Sequence, residues 1–307
     1  MDVVWDSRHS PEWDRLHAAQ TAALQQDFAF GLALQALGTD VLRAQLFDQG
    51  KLIGIAQFVV RRLGGLFGVA LCSRGPVWAD GVDPGQRQLG CKLMARSLPQ
   101  RRPRVVLFAP PAGAGANPVE VPGMTRVITG EASVVIDTTA DESDLRAGLH
   151  QKWRNRLAAA ERSSLQVHRC GDKYAQYRWL LDREGVQRQA RSYRALPAEF
   201  VPAWQQAVGG QRSALLTVRA DLGREAVAAM MFLVHGASAT YHLGWTNDQG
   251  RELSAHNLLL WRALPMLARL GVRQLDLGGI NTQRGASLAR FKLGTGGQLV
   301  QHPGTFL

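Results

Sequence analysis

The sequence predicts an α/β (α+β) fold of two fused domains, each a mixed, mostly antiparallel sheet flanked by helices. Three observations carry this expectation: a length of 307 residues, a β-β-β-α-β order of patterns that occurs twice, and two hairpin glycines, Gly50 and Gly223, that stand 173 positions apart. Domains cluster near about 100 to 150 residues, so the chain is long for one core and comfortable for two. An apolar share of 46%, with glycine and proline spread along the chain and no low-complexity block, fits globular packing throughout.

The first occurrence opens with two β-type runs, 41–47 and 52–60, around the turn signal Asp48-Gln49-Gly50. A third run, 66–72, stops at the breaker Arg74-Gly75-Pro76. Leu89, Leu93 and Leu98 give 86–98 helical spacing, and 105–108 is a short strand of the buried type. The second occurrence has strands at 214–220, 226–234 and 240–245, with a turn at Asp221-Leu222-Gly223, then a long helix over 253–270 and a short strand over 274–277. A repeated order at a fixed interval is the mark of internal duplication. The boundary falls near Asp137, giving domains 1–136 and 137–307, with the last strand able to return to the first.

Past that boundary Leu145, Leu149, Trp153 and Leu157 recur every four residues, which predicts one helix with one stripe turned inward. Asp141 is its expected N-cap, and Asp144 lies near the positive end of its dipole. Lys152 and Arg156 fall one turn apart on one face, where they can engage a single extended anion, while Arg154 points elsewhere. A second helix, 174–191, carries Arg183, Arg188 and Arg191 near Tyr193.

Lys and Arg number 36 against 25 Asp and Glu, a formal charge of +11. Between residues 146 and 194 stand 12 basic and 4 acidic side chains, so +8 of that excess is packed into one sixth of the chain. Charge so concentrated predicts a polyanionic partner, with phosphates met by Lys152, Arg154, Arg156, Arg188 and Arg191. The start, Met1-Asp2-Val3-Val4-Trp5-Asp6, carries acid where a secretory leader carries base, and the apolar run 226–234 is too short to span a bilayer. A cytoplasmic protein without a transmembrane segment is expected, with peripheral membrane contact left open. Cys72, Cys91 and Cys170 are odd in number and widely spaced; they argue against a disulfide framework and offer no paired metal ligands, so no metal site is expected.

From Leu275 the chain reads Leu-Asp-Leu-Gly-Gly-Ile-Asn, and from Leu288 Leu-Ala-Arg-Phe-Lys-Leu-Gly-Thr-Gly-Gly. Here it resembles the FemABX family of the GNAT acyltransferase superfamily, whose hallmark is an Asp/Gly-Gly strand end followed by Phe-Lys-x-Gly-x-Gly-Gly. Asp276, Gly278 and Gly279 match the first part; Phe291, Lys292, Gly294, Gly296 and Gly297 match the second. Fainter echoes at 25–38, at Arg74-Gly75-Pro76-Val77 and at Lys152-x-Arg154 spread the likeness over nearly the whole chain. The resemblance implies two fused GNAT-like domains and an acyltransferase that forms an amide, moving an aminoacyl group from aminoacyl-tRNA to an amine on a small molecule, peptide or cell-envelope precursor. It implies no bound cofactor, aminoacyl-tRNA being a co-substrate held by the basic span. Two departures stand out. Leu34 occupies the position where typical members carry a Lys that helps hold nucleotide-linked precursor phosphates, and the long helical arm of larger members is absent.

Acyl transfer to an amine needs a neutral amine, donors for the tetrahedral oxyanion, and a group that neutralises the leaving oxygen or sulfur. The resemblance implies Lys292 beside substrate phosphate or the developing charge. Asp276 is a candidate base or, equally, an acceptor that shapes the following loop. His256 is an acid-base candidate because histidine ordinarily titrates near neutrality; its segment also suits a helix cap. Gly278 and Gly279 offer backbone N–H groups to a carbonyl, and the glycines after Lys292 allow close backbone approach to a ligand. Tyr241, Trp245, Asn281, Phe291 and Tyr193 complete the expected substrate-binding set. An acyl-CoA donor stays open as an alternative: Arg87-Gln-Leu-Gly90-Cys-Lys92 keeps Arg and Gly in the register of a pyrophosphate loop, whereas Glu252-Leu-Ser-Ala-His256-Asn257 has neither. A non-catalytic anion- or RNA-binding module is the third reading, although no recognised RNA-binding motif supports it.

Overall fold

Gln49 and Gly50 have φ of 49° and 79°, the left-handed backbone that a two-residue hairpin between right-twisted strands requires. This turn joins the two long strands of the first sheet. The computed structural model describes the whole chain except residues 7, 65–66, 102, 113–122, 194, 211–212 and 284 and the side chains of 63 and 191; the predicted strand start at Leu66 lies outside the described residues. Two units emerge, Met1–Ala132 with Val300–Leu307, and Ser133–Leu299.

The first unit runs β1 (Asp2–Trp5), α1 (Pro11–Ala19), α2 (Phe28–Ala36), β2 (Asp40–Asp48), β3 (Lys51–Leu63), β4 (Phe67–Ser73), β5 (Val77–Trp78), α3 (Pro84–Ser97), β6 (Arg104–Ala109) and β7 (Arg126–Thr129). Its sheet is ordered β1-β2-β3-β4-β6, then the last strand of the chain, β15 (Gly304–Phe306), then β7, with β5 on β3. Alternation along β2 and β3 turns Leu46 and Phe58 inward, where Phe58 meets Phe108 edge-to-face at 5.6 Å and Met94 of α3 closes the layer. The parallel pair β4 and β6 holds register without a break from Gly68↔Arg104 to Ser73↔Ala109. Leu34 of α2 is buried, so the departure noted at that position leaves an apolar side chain facing inward. Near it Arg43 is also buried, its guanidinium on Gln57 Oε1 (2.8 Å) and Gln35 Oε1 (3.0 Å), and burial lowers its pKa to about 10.

The second unit runs β8 (Ala132–Asp137), α4 (Glu142–Gly148), α5 (Gln151–Glu161), β9 (Leu165–Arg169), α6 (Tyr174–Arg191), α7 (Phe200–Val208), β10 (Leu215–Leu222), β11 (Glu225–His235), β12 (Ser238–Thr246), α8 (Asp248–Glu252), α9 (Ala255–Arg269), β13 (Gln274–Gly279), α10 (Ala286–Leu293) and β14 (Gln298–Gln301). Its sheet is ordered β14-β8-β13-β12-β11-β10-β9. β11 is buried on both faces and reads as a near-continuous apolar run; Leu259, Ala263 and Leu267 of α9 lie in the core against one face. The β-β-β-α-β order is therefore present in both units, as β2-β3-β4-α3-β6 and as β10-β11-β12-α9-β13.

Two helix expectations need correction. The stripe Leu145, Leu149, Trp153, Leu157 does not lie on one helix: Leu149 and His150 are extended, with ψ of 135° and 142°, and split it into α4 and α5. The break is held by tertiary structure, because the His150 N–H donates to the Gly294 carbonyl at 3.0 Å instead of continuing the helix. Asp141 stands at the N-cap of α4, but its side chain makes no capping hydrogen bond. The helix expected over 253–270 is interrupted at Ser254, whose φ is 56°, and resumes as α9. Among the described residues no helix is long and apolar enough to cross a membrane.

Because β15 lies between β6 and β7, residues at the end of the sequence complete the first unit. Phe306 is 5% exposed and pairs with Phe108. Phe306→Ala should cost about 3 kcal/mol or more, read as a lower urea midpoint of the transition followed by the tryptophans of that unit.

Candidate active site

The feature that organises the second sheet is a parting of strands. β12 and β13 run parallel and pair over three residues, Ser238↔Gln274, Ala239↔Leu275 and Thr240↔Asp276. Beyond these β12 stays with β11 as far as Thr246, past a bulge at His242, while β13 stays with β8 as far as Gly279. The edge of β12 from Tyr241 to Thr246 is left without a strand on one side. Side chains take over: Gln187 Nε2 of α6 donates to the Gly244 carbonyl at 3.0 Å, and His256 Nε2 lies 3.0 Å from the Trp245 carbonyl.

The diverging end of β13 is shaped by the residues singled out from sequence. Asp276 Oδ1 accepts the Gly278 N–H at 2.7 Å, and Gly278 takes a φ of 78° that other side chains rarely adopt. The Asp276 carboxylate thus acts as the loop-shaping acceptor. The expectation that Gly278 offers its N–H to a carbonyl substrate is corrected, since that N–H is already engaged. Lys292, in the last turn of α10, is 6% exposed; its Nζ donates to the Gly279 carbonyl at 2.8 Å, and a Cβ at Gly278 would stand 3.5 Å from it. Phe291 lies beside it, 5.9 Å from the Trp153 ring and 6.4 Å from the His256 ring. Lys292, Phe291, Asp276, Gly278, Gly279 and His256 therefore share one corner of the unit.

The glycines after Lys292 serve a different purpose from the one expected. A Cβ at Gly294 would meet Trp153 Cδ1 at 2.8 Å, one at Gly296 would meet the Gly148 carbonyl oxygen at 2.2 Å, and one at Gly297 would meet Val134 Cγ1 at 2.8 Å. They admit the protein's own backbone, docking the loop after α10 onto the α4–α5 junction and β8. Asn281 is exposed and accepts the Gln283 N–H at 3.0 Å, which shapes the loop between β13 and α10.

The remaining candidates fall elsewhere in the unit. Tyr241 packs on Phe232 at 5.8 Å, and its hydroxyl lies over Gly244. Burial raises the Tyr241 pKa and drops that of His242 to about 4, so at neutral pH the first is a phenol and the second a neutral ring. Trp245 faces α6, perpendicular to Trp179 at 6.0 Å and under the Arg183 guanidinium at 4.4 Å. Tyr193 donates to Glu184 Oε1 at 2.7 Å.

Of the phosphate-binding set, Lys152 and Arg156 are exposed on α5 as expected. Arg154 is not available in the same way, because its Nη2 donates to the Ala147 and Leu149 carbonyls at 3.0 and 2.9 Å, closing the end of α4. Arg188 Nη1 likewise holds the Leu196 carbonyl at 2.9 Å, and the Arg191 side chain lies outside the described residues. Sequence reasoning missed Trp153 as a wall of the corner, reading it as core, and missed Glu184 and Gln187, which helical spacing does not connect to β12.

The pyrophosphate-type register at Arg87 is filled by the first unit itself. Asp83 and Gln86 form a capping box at the start of α3, Arg87 Nε donates to the Val82 carbonyl at 2.9 Å, and Gly90 packs on Trp78 and Leu46. A carboxylate already occupies the helix start where a phosphate would bind. A groove of about 530 Å³ between α4 and the later turns of α9, near Trp261 and Pro265, is lined by none of the candidate residues.

Residues 144–293 match the acetyltransferase (GNAT) domain family. No curated protein sequence matches the chain. Among solved structures, the chain is similar to FemX, with a TM-score of 0.78 at 12% identity, covering 100% of this chain and 96% of that one. It is similar also to a tandem GNAT protein from the clavulanic acid biosynthesis pathway, with a TM-score of 0.55 at 11% identity and coverage of 99% and 98%. The C-terminal domain of a putative lysylphosphatidylglycerol synthetase from Agrobacterium fabrum gives 0.54 at 16% identity, with coverage of 96% and 91%. Identities this low speak to the fold, which these proteins share across both units.

The docking role of the loop glycines is separable from ligand binding. Gly296 and Gly271 both have positive φ, 74° and 80°, but a Cβ at Gly271 meets nothing within 4 Å. Gly271→Ala should cost about 1 to 2 kcal/mol of backbone strain, and Gly296→Ala at least about 2 kcal/mol beyond that, since the Gly148 backbone must move. Equal urea midpoints for the two variants would show that the loop does not depend on this contact.

Proposed function

We propose that the chain, whose residues 144–293 match the acetyltransferase (GNAT) domain family, is an acyltransferase of FemAB type that forms an amide by moving an aminoacyl group from aminoacyl-tRNA to an amine. The acceptor class is a small molecule, a peptide or a cell-envelope precursor. The observation that carries this reading is Lys292, a buried cation fixed at the parting of β12 and β13 by the Gly279 carbonyl. An ammonium held there in a partly dry corner stabilises charge growing on an ester carbonyl without having to reorganise.

The choice of tRNA as carrier rests on charge. Lys152 and Arg156 stand exposed on the helix that also brings Trp153 against Phe291, so a cationic face adjoins the reactive corner. A macromolecular polyanion uses such a surface, whereas a small thioester needs a pyrophosphate cradle, and the one pattern retained for it, at Arg87, is satisfied internally. The tandem GNAT protein of similar fold is described in a form without AcCoA, a description that names this thioester, and acyl-CoA is therefore the donor to run beside charged tRNA.

The test is transfer of a radiolabelled amino acid from a charged tRNA pool to an added amine extract. Lys292→Met, which keeps the volume and removes the charge, should lower the rate about 100-fold or more while the protein stays folded. Lys152→Gln with Arg156→Gln should weaken tRNA binding and flatten the log-log salt dependence by about 1 to 2 charge equivalents. Transfer from acyl-CoA but from no charged tRNA would overturn the carrier assignment.

A further inference from the structure

Glu184 is explained neither by the acyltransferase fold nor by the Lys292 corner. It is 4% exposed on α6, and among the described residues its hydrogen bond comes from the Tyr193 hydroxyl, 2.7 Å from Oε1. No described cation pairs with it. The arginines beside it on the same helix are engaged elsewhere, Arg183 over the Trp245 ring and Arg188 on the Leu196 carbonyl. A buried carboxylate without a cation costs several kcal/mol, and an apolar side chain in its place would pack more cheaply.

Its surroundings lead to the open edge. Tyr193 is 39% exposed and so joins the buried carboxylate to solvent. Gln187, on the same face of α6, places its Nε2 3.5 Å from the Tyr193 hydroxyl and 3.0 Å from the Gly244 carbonyl on the unpaired stretch of β12. Tyr241 approaches from β12, its hydroxyl 2.2 Å from where a Cβ on Gly244 would be, and both Tyr193 and Glu184 act on it electrostatically. The next residue along β12, Trp245, contacts His256 through its carbonyl, and His256 leads to Phe291. The free edge of β12 thus links Lys292 on one side with Glu184 and Tyr193 on the other.

We propose that Glu184, acting through the Tyr193 hydroxyl, accepts the proton that the incoming amine must lose. This deepens the amide-forming reading and rests on it. The acceptor arrives as R–NH₃⁺; one proton passes to the Tyr193 oxygen as the Tyr193 proton passes to Glu184 Oε1. The freed nitrogen lone pair forms the C–N bond at the ester carbonyl. The ester C–O bond breaks with its electron pair on the carrier oxygen, which takes a second proton from nitrogen, and Glu184 returns its proton to water. Tyr193 is the group that touches substrate, and Glu184 drives it.

Two acceptors at pH 7 test this: glycinamide, whose amine is partly protonated, and hydroxylamine, whose nitrogen is already largely neutral. Wild type, Glu184→Gln and Tyr193→Phe are each assayed with charged tRNA and with acyl-CoA as donors. Both variants should lose about 10-fold in kcat/KM toward glycinamide, because only about a tenth of an α-amine with a pKa of about 8 is neutral at pH 7, and less than about 2-fold toward hydroxylamine. Their residual glycinamide rate should climb tenfold per pH unit toward the amine's own pKa, where the free base no longer needs an acceptor, and wild type should be flatter. Equal losses toward both amines, or parallel pH profiles, mean that the pair is structural and overturn the relay. Turnover from acyl-CoA alone removes the tRNA reading and leaves the relay tested with that donor. Wild type that transfers to neither amine from either donor overturns both.

Discussion

The second unit presents chemistry because two parallel strands separate after three paired residues and the cost of separating them is met by side chains. A strand edge inside a folded unit leaves N–H and C=O groups that must find partners. Here the Gly244 carbonyl is answered by Gln187, the Trp245 carbonyl by His256, the Gly278 N–H by Asp276 and the Gly279 carbonyl by Lys292. These four backbone groups are therefore satisfied without the strands rejoining. Each side chain that satisfies the backbone there also brings a polar or charged group to the gap, so the scaffolding and the reactive surface are made of the same residues.

The first unit shows what the same strand order does without those substitutions. β4 and β6 pair over their whole common length, the start of α3 is closed by its own carboxylate, and Gly90 lets that helix settle on Trp78 and Leu46. Among the described residues of this unit no buried lysine holds a strand end aside. A buried Leu34 adds to that packing. The two sheets thus share a run of β-β-β-α-β, and the second is parted at β12 and β13 where the first is paired through at β4 and β6. The proposed reactive corner lies in the unit whose parallel strands part.

What was legible in the sequence follows from the range of the forces involved. Both hairpins, the 174–191 helix and the short strands predicted at 105–108 and 274–277 are set by local periodicity and turn residues, and they stand where the pattern places them. The α4–α5 break is set by a carbonyl more than 140 residues away, at Gly294, and no window around Leu149 contains that information. The final strand, β15, is three residues long and gains its place from Phe306 and its neighbours in space. In the candidate site, the Phe-Lys motif and the Asp276-x-Gly278 turn were readable as a unit because they are short in sequence. The purpose of the following glycines was not, since close approach by a ligand and close approach by Gly148 demand the same missing Cβ. Arg154 and Arg188 illustrate a similar limit: charge counts see their cations, and only coordinates show that Arg154 Nη2 and Arg188 Nη1 are engaged by nearby carbonyls.

Comparison among the buried ionisable groups separates those that serve packing from the one that does not. Arg43 is enclosed by two glutamine oxygens and a phenylalanine ring, so its Nε and Nη2 are engaged and its burial is met within α2, β2 and β3. Lys292 fastens a strand end that must stay aside, and its position follows from the parting itself. Glu184 differs from both. A carboxylate has about four lone-pair sites, and here one phenol among the described residues donates to it, while the arginines one residue before and one turn beyond point away. Acceptor capacity left in a buried carboxylate, beside a part-exposed hydroxyl that contacts it, is what the proposed proton transfer would use. That is the physical sense in which α6, remote in sequence from the Phe-Lys motif, belongs to the same site.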